Sequence, residues 1–351
     1  MDVVILAIAF LVILAGAELF TNGIEWFGRK LELAEGAVGS VLAAVGTALP
    51  ETMIPIIAIV AGSGTESSHG IGVGAILGAP FMLSTLAMFV TGVAVLSVAR
   101  GRGERADDMP VDTGVLAHDM KYFAVAYAVA IAAAFLPLDP AWPKWVVAIA
   151  LLLTYGWYVK GHFAEEAKED QEELAPLRFH PLDVAGRAEN PATPRLRIVN
   201  LQVLVALVLI VVGAFFFVDA VQHLSTSLGI APVILALVIA PIATELPEKF
   251  NSVIWVRQGK DTLAMGNITG AMVFQSTIPT VVALLFAADA WHLTQDSRLA
   301  FLSAGIAFLS SAAIFIPMAR SGHLLGKRLL VGGLFYVLYL AIVGLDIAGV
   351  L

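Results

Sequence analysis

Long apolar runs, separated by short charged or Gly- and Pro-rich turns, dominate the chain. Ten of these runs are long enough to cross a bilayer as a helix, which takes about 20 residues. They predict an all-α polytopic membrane protein with ten transmembrane helices. The predicted helices cover residues 2–25, 36–61, 70–98, 119–137, 142–162, 198–220, 231–256, 262–287, 297–318 and 327–349.

The positive charges are distributed unevenly between the connections. Of the 20 Lys and Arg residues, Lys249 lies within a predicted helix, and one set of alternate connections holds only Lys144 and Arg298. The other 17 lie in the remaining connections or at the helix ends beside them. Because Lys- and Arg-rich loops stay in the cytoplasm, we expect both termini outside and the long charged connection 163–197 inside. We expect the protein in the inner membrane of a prokaryotic cell.

Composition narrows the possible functions. The chain is 59% hydrophobic and 14% charged, and it contains no Cys. It has no basic patch interleaved with aromatics, so we do not expect nucleic acid as a partner. It has no His-Glu-x-x-His motif, and its histidines lie mostly in loops or near helix ends, so we expect neither an enzyme nor a cofactor. Inorganic cations and the lipid bilayer are the expected partners.

The two halves of the chain repeat one another. Residues 16–51 align without gaps with residues 213–248, and 11 of the 36 positions are identical. The alignment ends on "GTALPE" in the first half and "ATELPE" in the second. A second pair of segments aligns at an offset of 192 residues instead of 197: "GAILGAPFMLST" (74–85) matches "GNITGAMVFQST" (266–277).

The repeat divides the chain into two five-helix units joined by a linker. We place the first repeat at 1–162, the linker at 163–197 and the second repeat at 198–351. Because each repeat has an odd number of helices, the second copy enters the membrane from the opposite side. Inverted repeats with polar, Pro-containing helices at matching positions are typical of secondary transporters.

The matching Pro-Glu pairs predict a cation site. Proline removes a backbone donor and disrupts the preceding turn, which frees carbonyls near Thr47 and Thr244. Glu51 and Glu248 follow directly and supply charge at a depth where a carboxylate is costly. Two carboxylates with carbonyl and hydroxyl oxygens form the kind of hard, oxygen-rich site that suits Ca²⁺ or Na⁺.

These motifs resemble the calcium/cation antiporter superfamily, and its sodium/calcium exchanger branch in particular. The resemblance rests on "GAELFTNG", both Thr-x-Leu-Pro-Glu stretches, the Gly-rich helix after each, and the five-plus-five layout. It implies alternating access, with exchange of Ca²⁺ for Na⁺, K⁺ or H⁺. It also implies that the ion binds Thr47, Glu51, Thr244 and Glu248.

Several positions depart from the family's pattern, which usually continues Gly-Asn-x-x-Gly-Ser-Asn-x-x-Asn/Asp. Its serines are replaced by Ala79 and Ala271, and its last amide or acid positions by Leu83 and Gln275. Asn267 keeps an amide in the second repeat only. Asn267 and Gln275 are candidate ligands, although hydrogen bonding between helices is an alternative role for both.

The second repeat gains an acid and a base where neutral ligands are lost. Glu245 and Lys249 are four residues apart and share one face of a regular helix. Glu245 is a candidate acid of the cation site, and a cytoplasm-facing acid paired with Lys249 is the alternative. The Lys249 ammonium beside buried carboxylates is a possible substitute for a coupling cation, which would suit proton coupling.

The sequence therefore predicts an antiporter that exchanges Ca²⁺ for Na⁺ or H⁺. A proton-coupled exchanger of Mn²⁺ or Na⁺ is an alternative, and a cation channel is a more distant one.

Overall fold

The protein is built almost entirely from helices. The computed structural model describes residues 2–30, 51–61, 66–102, 108–165, 175–183 and 194–350. Its main helices are α1 (Asp2–Lys30), α2 (Glu51–Ala61), α3 (Glu66–Met82, continued through a π-helical turn Leu83–Ala87 into Met88–Arg102), α4 (Thr113–Ala132), α5 (Trp142–Glu165), α6 (Leu196–Leu228), α7 (Pro232–Gln258), α8 (Asp261–Phe286), α9 (Arg298–Ser321) and α10 (Val331–Ile347).

Each of these helices lies on one of the ten predicted segments. Among the described residues, seven are long and apolar enough to span a membrane, namely α1, α3, α4, α6, α8, α9 and α10 with the short Gly326–Leu329 turn before it. The first part of α7, Pro232–Ile242, is also apolar. The acidic residues of α7 lie after this part. The protein is therefore an all-helical membrane protein, and the first part of the second predicted segment, 36–50, lies outside the described residues.

α1 and α6 form a tightly packed antiparallel pair. A Cβ at Gly16 would lie 2.8 Å from Ile210 Cγ1 and 3.1 Å from the Ala206 carbonyl oxygen. A Cβ at Gly213 would lie 2.7 Å from Ile13 Cγ1 and 3.1 Å from the Ala9 carbonyl oxygen. The two contacts are reciprocal, because the sequence offset of 197 relates Gly16 to Gly213, Ile13 to Ile210 and Ala9 to Ala206.

α3 and α7 pack in parallel at still closer range. A Cβ at Gly74 would overlap the Val233 carbonyl oxygen, and a Cβ at Gly78 would overlap the Leu237 carbonyl oxygen. Glycine at both positions lets the two backbones touch, as small residues do between membrane helices. The Gly74/Gly78 pair thus brings α3 against the Pro-Glu helix of the other repeat.

Of the four clusters of buried side chains among the described residues, two join most of the helices of the bundle. The larger lies among α3, α4, α5, α8, α9 and α10, and it also includes Ile59 of α2 and four residues of α7, among them Leu237. The smaller lies where α1, α2, α3, α6 and α7 meet, and it contains Ile13, Ile54, Ile71, Phe217 and Ala240. The α1–α6 pair therefore contacts the other helices mainly through the smaller cluster.

One group of connections gathers at a single end of the bundle. Strand β1 (Asp108–Met109) pairs antiparallel with strand β2 (Leu324–Leu325). The backbone N–H of Asp112 donates to Thr262 Oγ1 at 3.1 Å. These contacts join the connections after α3, α7 and α9, which the charge pattern assigns to one side.

The connections assigned to the other side also contact one another. Lys144 is fully buried at the start of α5, and its Nζ donates to the carbonyl oxygens of Ala288 (2.5 Å) and Trp291 (2.8 Å) after α8. Arg298 forms an ion pair with Asp346 near the end of α10. The observed grouping matches the predicted alternation, while the assignment of either end to the cytoplasm stays a prediction.

Residues 175–183, within the predicted linker, bind across the ends of α1 and α6; we call them the linker clasp. Trp26 Nε1 on α1 donates to the Ala175 carbonyl oxygen at 2.9 Å. Gln202 on α6 accepts the Phe179 backbone N–H at 2.8 Å, and its Nε2 donates to Asn22 Oδ1 at 3.0 Å. The clasp therefore ties both helices to the connection between the two repeats.

Candidate cation-binding site

The predicted site lies where helices of both repeats meet. Ile54 and Ala58 of α2, Ala75 of α3, and Ala236 and Ala240 of α7 all belong to the smaller buried cluster. Glu51 is less than one turn before Ile54, and Thr244 is about one turn after Ala240. α2 packs on the side of α3 that carries Gly72, and α7 packs on the side that carries Gly74 and Gly78, so the described ends of both Pro-Glu motifs flank α3.

Glu51 is buried, as the sequence predicts for a site carboxylate. Only 6% of its surface is exposed, and both carboxylate oxygens are shielded from solvent. It is the first residue of α2 in the described part of the chain. Burial removes the water that would screen this charge, so the carboxylate is suited to hold a cation.

Thr244 is also buried, with 4% of its surface exposed. Its hydroxyl donates to the Ala240 carbonyl oxygen one turn earlier, at 3.1 Å. This is the common bond of Thr within a helix. The bond uses the hydroxyl proton and leaves the lone pairs of the hydroxyl oxygen, so it does not decide between the hydroxyl and the backbone carbonyl of Thr244 as a cation ligand.

The predicted break at Pro247 is absent, because α7 runs as one helix from Pro232 to Gln258. The sequence reasoning overestimated the disruption, since a helix tolerates one missing donor when its neighbours hold it in place. The chemical consequence of the proline remains. Pro247 has no N–H, so the Ala243 carbonyl oxygen lacks its usual partner four residues ahead. That carbonyl is adjacent to Thr244.

The other acids of the second motif lie on the same helix. Thr244 and Glu248 are one turn apart on α7, and Glu245 and Lys249 are also one turn apart. The regular helix therefore gives both pairs the spacing of side chains that share a face. The side-chain positions of Glu245, Glu248 and Lys249 lie outside the described part of the structure, as does Thr47.

α8 carries the two candidate amide ligands. Asn267, Ala271 and Gln275 recur every four residues and form one stripe along the helix. Gln275 is buried and Asn267 is half-buried. In α3 the matching positions hold Ala75, Ala79 and Leu83, all buried and apolar. The stripe is therefore polar in one repeat and apolar in the other.

Beyond this stripe, α3 and α8 share a set of side-chain hydrogen bonds, although only α3 has a π-helical turn there, over Leu83–Ala87. Ser84 and Thr85 both donate to the Phe81 carbonyl oxygen, at 3.0 and 2.5 Å. Ser276 and Thr277 donate to the Val273 carbonyl oxygen, at 2.9 and 2.8 Å. The offset of 192 relates the two sets residue by residue, so the repeat extends to side-chain hydrogen bonds.

A further buried acid, Asp119 of α4, was missed by the sequence reasoning. It is 1% exposed. Tyr158 on α5 donates to its Oδ1 at 3.0 Å, and Thr269 on α8 donates to its Oδ2 at 2.5 Å. The sequence shows Asp119 only as an acid at the start of the predicted segment 119–137. Acids at such positions usually face solvent, so its position did not indicate burial.

No cluster of three or more His, Cys, Asp or Glu side chains able to hold a metal ion occurs among the described residues. At the predicted cation site, the described residues comprise the buried carboxylate of Glu51 on α2 and the buried Thr244 on α7. Such oxygen ligands favour Ca²⁺ and Na⁺ over soft metals.

Comparison with known proteins agrees with this chemistry. The family model described as sodium/calcium exchanger protein matches residues 1–161 and 199–347. A search of curated proteins gives no match.

Solved structures share the fold at low sequence identity. The H⁺/Ca²⁺ exchanger CAX is 17% identical with a TM-score of 0.70, and the alignment covers 99% of this chain and 86% of that one. The sodium-calcium exchanger NCX_Mj is 15% identical with a TM-score of 0.57, and 97% of each chain is covered. Native YfkE is 13% identical with a TM-score of 0.62, covering 98% of this chain and 91% of that one.

Proposed function

Because this chain belongs to the sodium/calcium exchanger protein family, we propose that it exchanges Ca²⁺ for Na⁺ or H⁺ at a site shared by Glu51 and Glu248. The family and the fold place it among membrane-embedded cation antiporters. The observation that carries the finer proposal is the burial of Glu51, 6% exposed, on a helix whose Ile54 and Ala58 share a buried cluster with Ala236 and Ala240 of α7, the helix that bears Thr244 and Glu248.

Charge balance makes this site an exchanger. Two carboxylates neutralise one Ca²⁺, and protons or Na⁺ ions neutralise them in its absence. An empty, doubly negative site is costly to pass through an occluded state, because unpaired charge inside the bilayer is unfavourable. The carboxylates therefore change sides with one ion or the other. The carbonyls near Thr47 and Thr244 complete the coordination.

The packing suggests which helices move. We propose two inverted five-helix repeats, supported by the antiparallel α1–α6 pair and its reciprocal glycine contacts. The pair contacts the remaining helices mainly through the smaller buried cluster. Movement of α1 and α6 against α2, α3, α7 and α8 would expose the site to each side in turn.

Two proteins of similar fold use different counter-ions for Ca²⁺, and these are the two candidates for this chain. CAX is an H⁺/Ca²⁺ exchanger and NCX_Mj a sodium-calcium exchanger. The apolar Ala79 and Leu83 remove ligands that a Na⁺-coupled member would be expected to carry, which favours H⁺ for this chain. Glu245 and Lys249, one turn apart on α7, are candidates for the coupling.

The test is uptake of radioactive Ca²⁺ into proteoliposomes under an outward H⁺ or an outward Na⁺ gradient. We expect Glu51→Gln and Glu248→Gln to lower uptake at least about 100-fold, because each removes half of the site charge and a desolvated ion pair is worth several kcal/mol. Glu66→Gln is the matched control, since Glu66 is exposed at the start of α3, and it should transport normally.

The same assay separates the alternatives. Uptake of Mn²⁺ or Na⁺ in place of Ca²⁺, with the same glutamate dependence, would identify the other exchanger. Flux without a counter-ion would identify a channel. Normal Ca²⁺ uptake by both glutamine variants would refute the proposed site.

A further inference from the structure

Helix α3 changes its winding near the centre of its span. Its apolar stretch runs over Glu66–Val98, and the π-helical turn Leu83–Ala87 lies near the middle of that stretch. A π-turn closes its hydrogen bonds over five residues instead of four, so it contains one residue more than the α-helix around it. Such an interruption of the regular bonding has an identifiable cause in the neighbouring groups.

A serine of α9 bonds to this turn. Ser310 Oγ donates to the Ser84 carbonyl oxygen at 2.6 Å, and both residues are fully buried. The Ser84 carbonyl lies inside the π-turn, where the regular ladder of the helix is interrupted. In the interior of a membrane protein a backbone carbonyl has to be paired within the protein. The Ser310 hydroxyl therefore stabilises the irregular turn from outside α3.

Helix α10 leaves room for the wider turn. A Cβ at Gly332 would overlap the Thr85 carbonyl oxygen, and a Cβ at Gly333 would lie 2.5 Å from the Phe89 ring. A side chain at Gly332 would thus displace the turn. The turn is therefore bonded by α9 on one side and fitted closely by α10 on another.

The second repeat has the same local sequence without the π-turn. Ser276 and Thr277 of α8 match the Ser-Thr pair of α3 and form the same bonds within their helix. Even so, α8 is α-helical throughout Asp261–Phe286. In the described part of the chain, no hydroxyl from another helix donates to the Ser276 carbonyl oxygen as Ser310 does to that of Ser84. The Ser-Thr pair alone therefore does not produce the π-turn.

The helices that pack beside α3 and α8 differ in the same way. α5 and α10 share a Tyr-x-x-Tyr motif, at 155–158 and 336–339. The first tyrosine of each motif packs on a phenylalanine, of α8 in one case and of α3 in the other, with ring centroids 5.5 and 5.6 Å apart. Counted from this motif, Gly332 of α10 corresponds to Leu151 of α5, which is buried. α10 thus has a glycine beside the π-turn where α5 has a large side chain.

The π-turn follows the part of α3 that packs on α2. A Cβ at Gly72 would lie 3.4 Å from the Pro55 carbonyl oxygen of α2. The two helices are joined by only four residues and run antiparallel, so Glu51, one turn before Pro55, lies near the level of Ile76. Leu83, the first residue of the π-turn, is about two turns further along α3.

We propose that Ser310 is a positioning residue for exchange: it holds the π-turn of α3, and the turn holds the preceding part of α3 against α2 beside the cation site. The inference rests on the proposed function, because it takes Glu51 as a ligand of the ion. Ser310 does not bind the ion itself. Without its hydroxyl the middle of α3 relaxes, so the site is harder to assemble and the half-saturating Ca²⁺ concentration rises at a similar maximal rate.

The first test compares Ser310→Ala with Ser311→Ala in the reconstituted full chain. Ser311 is also buried on α9, and its hydroxyl has no partner among the described residues, so it is a matched control. We expect Ser310→Ala to raise the half-saturating Ca²⁺ concentration about fivefold, the effect of one lost hydrogen bond. Ser311→Ala, and Ser310→Thr, which keeps the hydroxyl, should match the wild type.

Two outcomes of this comparison would overturn the proposal. One is a half-saturating concentration that Ser310→Ala leaves unchanged, even with a lower melting temperature, since that describes a purely structural serine. The other is an equal rise in Ser311→Ala, since that would assign the effect to any hydroxyl lost from this part of α9.

Deletion of Leu86 tests the turn itself. Leu86 is the one residue of the π-turn that is not fully buried. Removing one residue turns the π-turn into an α-turn, and the helix on either side keeps its faces. We expect a folded protein with a raised half-saturating concentration, as for Ser310→Ala. A wild-type concentration in a folded deletion variant would contradict the proposal, and the serine variants decide if the deletion prevents folding.

Hydrogen exchange separates this proposal from the proposed function, because it needs no transport. Measured by mass spectrometry without Ca²⁺, peptides that cover residues 83–88 should exchange about fivefold faster in Ser310→Ala than in the wild type or Ser311→Ala. Unchanged exchange would overturn the proposal whatever the transport result. Faster exchange in a protein whose wild type takes up no Ca²⁺ would refute the exchange function alone and confirm that Ser310 holds the turn.

Discussion

At the scale of single residues, a threonine has two groups that can bind a cation, its side-chain hydroxyl and its backbone carbonyl. Thr244 allows these two roles to be distinguished. Its hydroxyl is engaged with the Ala240 carbonyl oxygen inside α7, and its own carbonyl lies beside the one freed by Pro247. A ligand role through the backbone does not depend on the side chain. A role through the hydroxyl does.

Because the proposed site uses the backbone carbonyls near Thr244, we expect Thr244→Val to keep Ca²⁺ uptake within about threefold of wild type. The lost helical bond of the hydroxyl contributes only about 1 kcal/mol to stability. The measurement is the Ca²⁺ concentration giving half-maximal uptake. Thr244→Ser, which keeps the hydroxyl, is the control. A loss above tenfold in the valine variant alone would show that the hydroxyl itself binds the ion.

Residue-level prediction from sequence succeeded for one buried acid and failed for another. Glu51 is identifiable because it follows a proline inside an apolar run and has a repeated counterpart. Asp119 has neither signal, and its partners lie 39 and 150 residues away along the chain. A hydrophobicity pattern describes one segment at a time, whereas Asp119 is buried because α4, α5 and α8 meet around it.

At the scale of helices, close backbone contact makes α3 and α7 one unit. Gly74→Ala would push a methyl group into the Val233 carbonyl oxygen, and overpacking of this kind costs about 1–3 kcal/mol. We expect a lower melting temperature in detergent.

Gly305→Ala on α9 is the matched control for Gly74→Ala. Gly305 is exposed, and a Cβ there would meet no atom of the described residues within 4 Å. This control should be neutral or slightly stabilising, because alanine favours a helix by up to about 1 kcal/mol over glycine. Equal melting temperatures for the two variants would show that α3 and α7 can separate at little cost.

Helix positions were largely predictable, but their internal irregularities were not. The apolar runs locate α4 to α10 to within a few residues at most ends, while α6 continues to Leu228, eight residues past its predicted end. The π-helical turns at Ile57–Ala61 and Leu83–Ala87 carry no sequence signal. They depend on neighbouring helices, as does the continuity of α7 through Pro247.

At the scale of the whole molecule, the chain lends itself to a direct test of orientation because it contains no Cys. Ser227 and Arg320 are both exposed, the first near the end of α6 and the second near the end of α9. We expect Ser227→Cys to react with a membrane-impermeant thiol reagent from outside intact cells. Arg320→Cys should react only after the membrane is opened.

The unsubstituted chain is the blank for this labelling experiment, since it has no thiol. Labelling of both positions from the same side would contradict the alternation of helices, and labelling on the reversed sides would invert the assigned orientation. The charge count predicts the orientation, whereas the grouping of connections at the two ends needed the three-dimensional contacts.

The linker clasp also bears on how the two halves stay together if the chain is divided. A cut between residues 165 and 175 leaves 175–183 on the second half, still carrying the Ala175 carbonyl that accepts from Trp26 of the first. The second half would thus keep a recognition element for the first, in addition to the α1–α6 interface. The protein is in this sense a covalently joined heterodimer whose subunits retain a means of selecting each other.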